Sequence, residues 1–375
     1  MTEKERFIRT LLFQKTDRVP FQPGTPREST LERWRREGLP ENIPWQEVVA
    51  RELGIEWEVR GPSFELSLSF SLLPEFEERV LERKNSHKIV QMHTGEILEV
   101  SEEYDFSHLR RAKDFVTRRW IKFPVENEED WEEMRRRYNP LSPERYPKNL
   151  EEVILALRER DYPFGITIHG PFWQMREWCG MENLCMFMID KADWVKEMAF
   201  FWRDFVLEVL RRGVRKEMLD YVIINEDMAY KEKSMISPRM VREFLLPVWS
   251  EWVEFLKSID CPVIILDSDG YIEELIPLWI EAGINCTIPV EIAAGNDLLS
   301  FRKKFGKRMA YIGGIDKRDI ARGGKSIEEE IARLLPLIKE GGYIPSCDHA
   351  LPPDISWENF LYYCKLLARA TGWLS

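Results

Sequence analysis

The sequence predicts an α/β fold: a (β/α)8 TIM barrel with an antiparallel β insertion in its N-terminal part. From residue 160 onward, six apolar segments alternate with helical segments, which implies parallel strands joined by right-handed crossovers. Six such units, together with strands before residue 160, fit an eight-stranded barrel. No GxGxxG follows a first strand, which disfavours the alternative of a doubly wound open sheet.

The part of the chain before residue 160 is predicted element by element. Residues 3–14 and 28–37 have helical patterns. Residues 55–125 are predicted to be the antiparallel insertion, because SHKIVQMHTGEILEV alternates around a turn at 93–95 and RRWIKFPV is a further strand candidate. Residues 126–160 are highly charged and helical. We expect residues 1–375 to form a single domain.

The six later units define the body of the predicted barrel. The helical stretches between strands include DWVKEMAFFWRDFVLEVLRRG, SPRMVREFLLPVWSEWVEFLKS and SIEEEIARLLPLIKEGG. The strand candidates are PFGITIHG, YVIINED, CPVIILDSD, INCTIPVE, RMAYIGG and GGYIPSCDH.

Composition excludes several classes of partner. The formal net charge is −11 with mixed signs along the chain, whereas nucleic-acid binding needs a basic face. No stretch approaches the roughly 18 apolar residues of a membrane helix, and the N-terminus has the pattern of an amphipathic helix, not of a signal peptide. The six cysteines show no CxxC spacing, which favours reduced thiols and a cytoplasmic protein.

Ionisable residues follow every one of the six strand candidates. In a parallel barrel the C-terminal strand ends converge on one pocket, so these residues are expected to meet there. A ring so rich in carboxylates needs a cation, a metal or shared protons. The residues are His169 after ITI, Glu226 and Asp227 after VIIN, Asp267 and Asp269 after VIIL, Glu291 after TIPV, Asp316 and Lys317 after YIGGI, and Asp348 and His349 after YIPSC.

Each of these residues also has a purely structural interpretation. A single acid after a strand is most often a helix cap or a turn residue, and Asp316 is open to either interpretation. The pair Asp267 and Asp269 favours function, because alternation along an extended segment points both side chains to one side. Cys347 alone is typical of a small buried residue. Lys317 and Arg318, in GGIDKR, suit the anion site that barrels often carry on their last strands.

The sequence resembles the uroporphyrinogen decarboxylase superfamily, and within it the methyltransferase-like branch that includes cobamide-dependent enzymes. The resemblance runs from residue 3 to the end and implies a (β/α)8 barrel. It is carried by KTDRVPF, TLERWRREGLP, EDMAYK, MISPRMVREFLLP, DSDG, EAGIN, PVEIAAGND, GGIDKR and GGYIPSCDHALPPD.

The methyltransferase resemblance implies a zinc bound by an H-x-C motif and a later ligand. Asp267 and Asp269 occupy the H-x-C positions, and His349, with Cys347 as the alternative, falls near the later ligand. We therefore predict a divalent metal, zinc or another, on Asp267, Asp269 and His349, since harder ligands admit several ions.

The decarboxylase resemblance implies an N-terminal arginine motif that binds a carboxylated tetrapyrrole. The matching region, PFQPGTPREST, contains only Arg27. His349 does match a histidine of the decarboxylase pattern. The corrinoid-carrier signature DxHxxG is absent, so any cobamide is expected from a separate partner protein or free in solution.

Three functional hypotheses follow. The first is a methyltransferase that moves a methyl group between a cobamide and a small acceptor. The second is a decarboxylase of a porphyrinogen or another carboxylated molecule, and the third a non-catalytic tetrapyrrole- or corrinoid-binding barrel; a homodimer is compatible with all three. Catalytic roles are predicted for Asp267, Asp269, Glu226, Glu291 and His349, and substrate-binding roles for His169, Arg176, Lys231, Asp316 and Lys317.

Overall fold

The computed structural model describes residues 1–57, 66, 68–111 and 116–375. Parts of the predicted insertion, residues 58–65, 67 and 112–115, lie outside the described residues. The strands are β1 Arg79–Lys84, β2 His87–Gln91, β3 Ile97–Ser101, β4 Arg118–Lys122, β5 Gly165–His169, β6 Tyr221–Asn225, β7 Val263–Asp267, β8 Cys286–Ile288, β9 Ala310–Ile315 and β10 Tyr343–Cys347.

Each stretch that the sequence predicts to be helical contains a helix, and a further short helix, at Phe106–Arg111, lies within the predicted insertion. No described helix combines the length and the apolar character that crossing a membrane requires. The helices are α1 Glu3–Leu11, α2 Glu28–Arg36, α3 Trp45–Leu53, α4 Phe106–Arg111, α5 Glu128–Arg135, α6 Leu150–Arg158, α7 Pro171–Cys179, α8 Met181–Asp190, α9 Ala192–Gly213, α10 Pro238–Met240, α11 Leu246–Ser258, α12 Ile276–Ala282, α13 Leu298–Phe305, α14 Lys317–Arg322, α15 Lys325–Glu340 and α16 Trp357–Ala370.

The chain divides into two compact units. The first comprises residues 1–65, 151–170 and 214–375, and the second comprises 66–150 and 171–213. The second unit contains an antiparallel sheet in the order β1-β2-β3-β4, and β2 and β3 form the predicted hairpin. The antiparallel character predicted for the insertion is therefore confirmed for its described residues.

The first unit contains a parallel sheet in the order β10-β9-β8-β7-β6-β5 over the residues described. Sequential strands are neighbours, and helices connect them, as in a barrel wall. Pro26 adds a parallel bridge to Leu351, just beyond β10, so an extended N-terminal segment continues the wall at that edge. All six strand predictions after residue 160 are confirmed.

The N-terminal ends of the strands are closed by helix α1. Phe7 and Leu11 of α1 are buried in one cluster with Val263 and Ile265, and the Phe7 ring lies 5.2 Å from that of Tyr221, the first residue of β6. Burying this apolar face stabilises the unit by roughly 25 cal/mol per Å² removed from water. Because apolar side chains fill this end, the polar residues are left at the C-terminal strand ends.

Candidate active site

The strand ends form a polar row across the sheet. In the parallel register, His169 pairs with Asn225, Asn225 with Asp267, and Asp267 with Ile288. Side chains in register on adjacent strands lie on one face, here the face that also carries Val263 and Ile265. The strands thus deliver Asp267 to the inside of the wall, above its apolar layers.

Asp267 is the last residue of β7 and is partly buried. Burial raises the pKa of its carboxyl, and the nearby charges of Asp269 and Asp227 raise it further, to about 7, while His349 acts in the opposite direction. Near neutral pH the group is present both as acid and as carboxylate, which is the condition for general acid–base catalysis.

Asp269 forms a pair with His349. Nε2 of His349 lies 3.2 Å from Oδ2 of Asp269, and the side chains are 31% and 42% exposed, so the pair is accessible to solvent. The backbone N–H of Ala350 donates to Nδ1 of His349 at 2.7 Å. Because Nδ1 accepts this hydrogen bond, the neutral ring carries its proton on Nε2 and donates it to Asp269.

Two influences on His349 oppose each other. The hydrogen bond to the Asp269 carboxylate raises the pKa of His349, although burial alone would lower it. The Ala350 N–H favours the neutral ring, since the imidazolium has no acceptor nitrogen. Nε2 of His349 therefore carries a proton in both the neutral and the protonated ring. This proton faces Asp269, the second acid of the D-x-D motif.

Asp348 joins the loops after β8, β9 and β10. It is fully buried; Oδ2 accepts the N–H of Ile292 at 2.9 Å and Oδ1 accepts the N–H of Lys317 at 3.1 Å. Nζ of Lys317 lies 3.0 Å from Oε1 of Glu291 and 3.7 Å from Oδ1 of Asp348. Lys317 is thus held by two carboxylates of the protein itself, and although burial alone would lower its pKa, their charges raise it.

Glu226 lies below the surface. Its side chain is fully buried, and Oε1 accepts the indole N–H of Trp249 at 2.7 Å. Gly170, the residue after β5, packs directly on the carboxylate, where a Cβ would overlap it. The backbone N–H groups of Glu226 and Asp227 both donate to the carbonyl of Asp267. These contacts make Glu226 a support of the turn beside Asp267.

Asp316 is the N-cap of α14. Its side chain accepts the backbone N–H of Arg318 at 2.8 Å and forms an ion pair with the Arg318 guanidinium at 2.7 Å. Although burial alone would raise its pKa, these contacts hold the pKa of Asp316 below its usual value. Of the two interpretations of Asp316, the structure shows the contacts of the cap.

Replacing Asp316 with Ala is expected to lower the free energy of unfolding by about 1–2 kcal/mol, because the first turn of α14 loses its acceptor. Asp316→Asn should lose less, since Asn caps as well as Asp. Urea denaturation at pH 7 checks this. An unchanged midpoint in Asp316→Ala would show that the cap contributes nothing measurable.

Four further residues carry predicted roles. His169 ends β5 and is exposed, and Lys231 is exposed in the turn after β6. Arg176 belongs to α7 in the second unit, where its guanidinium lies 4.6 Å from the Trp173 ring centroid. Cys347 is buried at the end of β10. Their predicted substrate-binding and metal-binding roles stay predictions.

The predicted metal ligands do not fit a metal site in this arrangement. Binding through Nε2 of His349 requires a lone pair there, yet Nε2 carries the proton while Nδ1 accepts from Ala350. Burial raises the pKa of the Cys347 thiol far above its usual value, which disfavours the thiolate form. Within the described ranges no three His, Cys, Asp or Glu side chains could hold one metal ion. No step of the proposed reaction is therefore derived through a metal.

The parallel wall and the ionisable strand ends are typical of an α/β barrel whose site lies at the C-terminal ends of its strands. The model of the uroporphyrinogen decarboxylase (URO-D) family matches residues 119–369, about two thirds of the chain. The chain belongs to this family. Family membership confirms the resemblance and the predicted (β/α)8 barrel.

The solved structures that are similar to this chain include a methyltransferase and a methionine synthase. A methyltransferase from Methanosarcina mazei aligns with a TM-score of 0.59 at 15% identity, covering 99% of this chain and 98% of that chain. A B12-independent methionine synthase from Shewanella sp. W3-18-1, in complex with selenomethionine, aligns over 60% of this chain and 65% of that chain at 13% identity, with a TM-score of 0.36. The first shows a shared fold, and the second is too distant to carry an argument. No curated protein matches by sequence.

Proposed function

We propose that this chain transfers a methyl group between a cobamide, supplied by a separate protein or free, and a small acceptor at the C-terminal ends of the barrel strands. The observation that carries the proposal is the partly buried Asp267 beside the Asp269–His349 pair, where the motifs resemble the methyltransferase-like branch. The structural neighbour from Methanosarcina mazei, a methyltransferase, agrees with this choice among the family's chemistries.

Asp267 supplies the acid and the base of the proposed reaction. A cobamide would supply the methyl group and would retain the carbon–cobalt electron pair, and the Asp267 carboxylate would take the proton that a nitrogen or sulfur acceptor loses when it is methylated. In the reverse direction the departing heteroatom takes its proton from the Asp267 carboxyl. A pKa of about 7 suits both directions near neutral pH.

The Asp269–His349 pair and the buried acids position this chemistry. The imidazole Nε2–H donates to Asp269 and fixes its carboxylate at the mouth. Gly270, the next residue, donates its N–H to Oε2 of Glu291 at 3.3 Å, which ties the loop after β7 to the ion pair with Lys317. Of the acids predicted to be catalytic, Asp267 therefore carries the proton, and the others position the residues around Asp267.

Decarboxylation is a second candidate, because a neutral carboxyl such as Asp267 can also protonate the carbon that loses carbon dioxide. Its tetrapyrrole version needs free bases for the substrate carboxylates. Lys317 and Arg318, which the sequence suggests for that role, are each paired with carboxylates of the chain. We therefore expect no release of carbon dioxide from uroporphyrinogen.

The test is methyl exchange measured from the corrinoid absorbance. The purified chain is mixed with methylcobalamin and amine or thiol acceptors and, in reverse, with reduced cobalamin and methylated donors, with and without a separate corrinoid protein. We expect saturable turnover that is lost in Asp267→Asn and kept in Asp354→Asn, an exposed acid after β10. Absence of exchange in both directions, with carbon dioxide released from a carboxylated substrate, would establish the decarboxylase instead; no turnover of either kind would favour a binding protein.

A further inference from the structure

We infer that Ser268, the residue between Asp267 and Asp269, is a positioning residue: its buried hydroxyl holds the loop that carries these two acids against the loop after β6. The inference deepens the proposed function and rests on it, because the position of this loop affects turnover only where its acids take part in the reaction. It follows from the hydrogen bonds of the hydroxyl and from the segments that they connect.

The hydroxyl of Ser268 is enclosed by the protein and uses both of its hydrogen-bonding roles. Ser268 is fully buried, whereas the acids on either side of it are partly exposed. Its Oγ accepts the backbone N–H of Met228 at 3.0 Å and donates to the backbone carbonyl of Asp269 at 3.0 Å. One hydroxyl therefore connects the loop after β6 to the residue that carries the second acid.

Further hydrogen bonds between backbone groups join the same two loops. The N–H groups of Glu226 and Asp227 donate to the carbonyl of Asp267 at 2.9 and 3.2 Å, and the N–H of Tyr271 donates to the carbonyl of Tyr230 at 2.7 Å. The bond from Met228 to Ser268 lies between these contacts and is made by a side chain. A substitution can therefore remove it and leave the backbone donors and acceptors in place.

Two forces act to separate the loops. Asp227 has a φ of 40°, in the left-handed region that is strained for residues other than glycine, and Met228 is the next residue. Strained backbone persists where the surrounding contacts fix it, and the bond from Met228 to Ser268 is such a contact. In addition, Asp267 and Asp269 repel each other when both are ionised. The Ser268 hydroxyl opposes both the strain and the repulsion.

Ser268→Ala is expected to reduce kcat for methyl exchange by about 10–10²-fold and to change KM by less than about threefold, because a displaced acid slows the chemical step. Ser268→Cys keeps most of the packing, but its thiol is a weak donor and acceptor, so kcat should fall in that variant as well. Steady-state kinetics of both variants measures the decrease.

Thr287→Val is the matched control. Thr287 is also fully buried, and its Oγ1 donates to the carbonyl of Leu266, the residue before Asp267, at 2.9 Å. Like Ser268→Ala, this variant loses one buried hydroxyl bonded to the β7 segment, so both should have a lower midpoint in urea. The kcat of Thr287→Val should stay within about twofold of the unmodified chain, because its hydroxyl does not contact the loop after β7.

Amide hydrogen exchange tests the same inference without any turnover. In the unmodified chain we expect slow exchange at the amides of Met228 and Tyr271. In Ser268→Ala the Tyr271 amide, which is not bonded to Ser268, should exchange at least about tenfold faster than in Thr287→Val, because the whole loop opens more often.

Equal kcat in Ser268→Ala and Thr287→Val, or equal exchange at Tyr271 in these variants, would overturn the inference. Rapid exchange of Met228 in the unmodified chain would overturn it too, and that measurement needs no variant to fold. Absence of methyl exchange in the unmodified chain, with faster Tyr271 exchange in Ser268→Ala, would contradict the proposed function alone. Methyl exchange that Ser268→Ala leaves unchanged would contradict the role of Ser268 alone.

Discussion

Asp267→Asn is expected to reduce methyl exchange by about 10²–10⁴-fold, the usual contribution of a general acid–base group. Asn keeps the size and the position of the side chain but neither gives nor takes a proton. The decrease should appear in kcat more than in KM, because proton transfer belongs to the chemical step. Steady-state kinetics of Asp267→Asn beside Asp354→Asn measures it. Equal kcat in both variants would remove Asp267 from the mechanism.

The same substitution is expected to stabilise the protein at high pH. The pKa of Asp267 is raised from 3.8 to about 7 on folding, so the folded state binds more protons than the unfolded state between these values. Stability contributed by the neutral carboxyl is complete below pH 4 and is lost as pH rises to 7. Asp267→Asn should therefore gain about 4 kcal/mol at pH 8 and nothing at pH 4.

Denaturation at pH 4, 6 and 8 checks the stability change. If the free energy of unfolding rises by the same amount at pH 4, 6 and 8, the Asp267 carboxyl either stays neutral over this range or loses its proton without any cost in stability. A loss at pH 8 would show that Asp267 makes a stabilising contact as a carboxylate, which contradicts the charge arrangement described for the β7 end.

Gly170→Ala is expected to lower the free energy of unfolding by about 3 kcal/mol, at the upper end of the cost of overpacking. A methyl group there would overlap the carboxylate of Glu226, which is fully buried and fixed by Trp249. Displacing the carboxylate would also leave the indole N–H without its acceptor. Urea denaturation of Gly170→Ala measures the loss.

A double-mutant cycle identifies the cause of that loss. Glu226→Ala removes the carboxylate that the new methyl group meets, so Gly170→Ala should cost less in the Glu226→Ala background than in the unmodified chain. Equal costs in both backgrounds would place the strain elsewhere, for example in the N–H of Gly170, which donates to the carbonyl of Asn225.

The barrel units were predictable because their signals are local. A β-rich run such as that of β7 and the helix after it can be recognised from periodicity, and a polar residue at the end of each strand can be read directly. The hairpin of β2 and β3 was predictable for the same reason. The position of the candidate site follows from the barrel, since C-terminal strand ends meet at one face.

The different positions and roles of the acids could not be predicted from the sequence. Glu226 and Asp267 both follow β-branched strands, yet one is fully buried against Trp249 and the other is at the mouth. Asp348 was recognised as a strand-end acid, but its contacts with Ile292 and Lys317 join residues far apart in sequence. The sequence indicates no role for Asn225 other than its position directly before Glu226. Such partners depend on tertiary packing, which periodicity does not encode.

Bound metal, measured by elemental analysis of purified protein beside Asp267→Ala and Asp269→Ala, tests the central claim most directly. The claim is that these strand ends carry out proton transfer with the chain's own carboxyl groups. It predicts far less than one equivalent of zinc, cobalt or manganese in the unmodified chain after incubation with each ion, with methyl exchange retained after chelation. Near-stoichiometric metal that is lost in both variants would contradict it and would assign the D-x-D motif to metal binding.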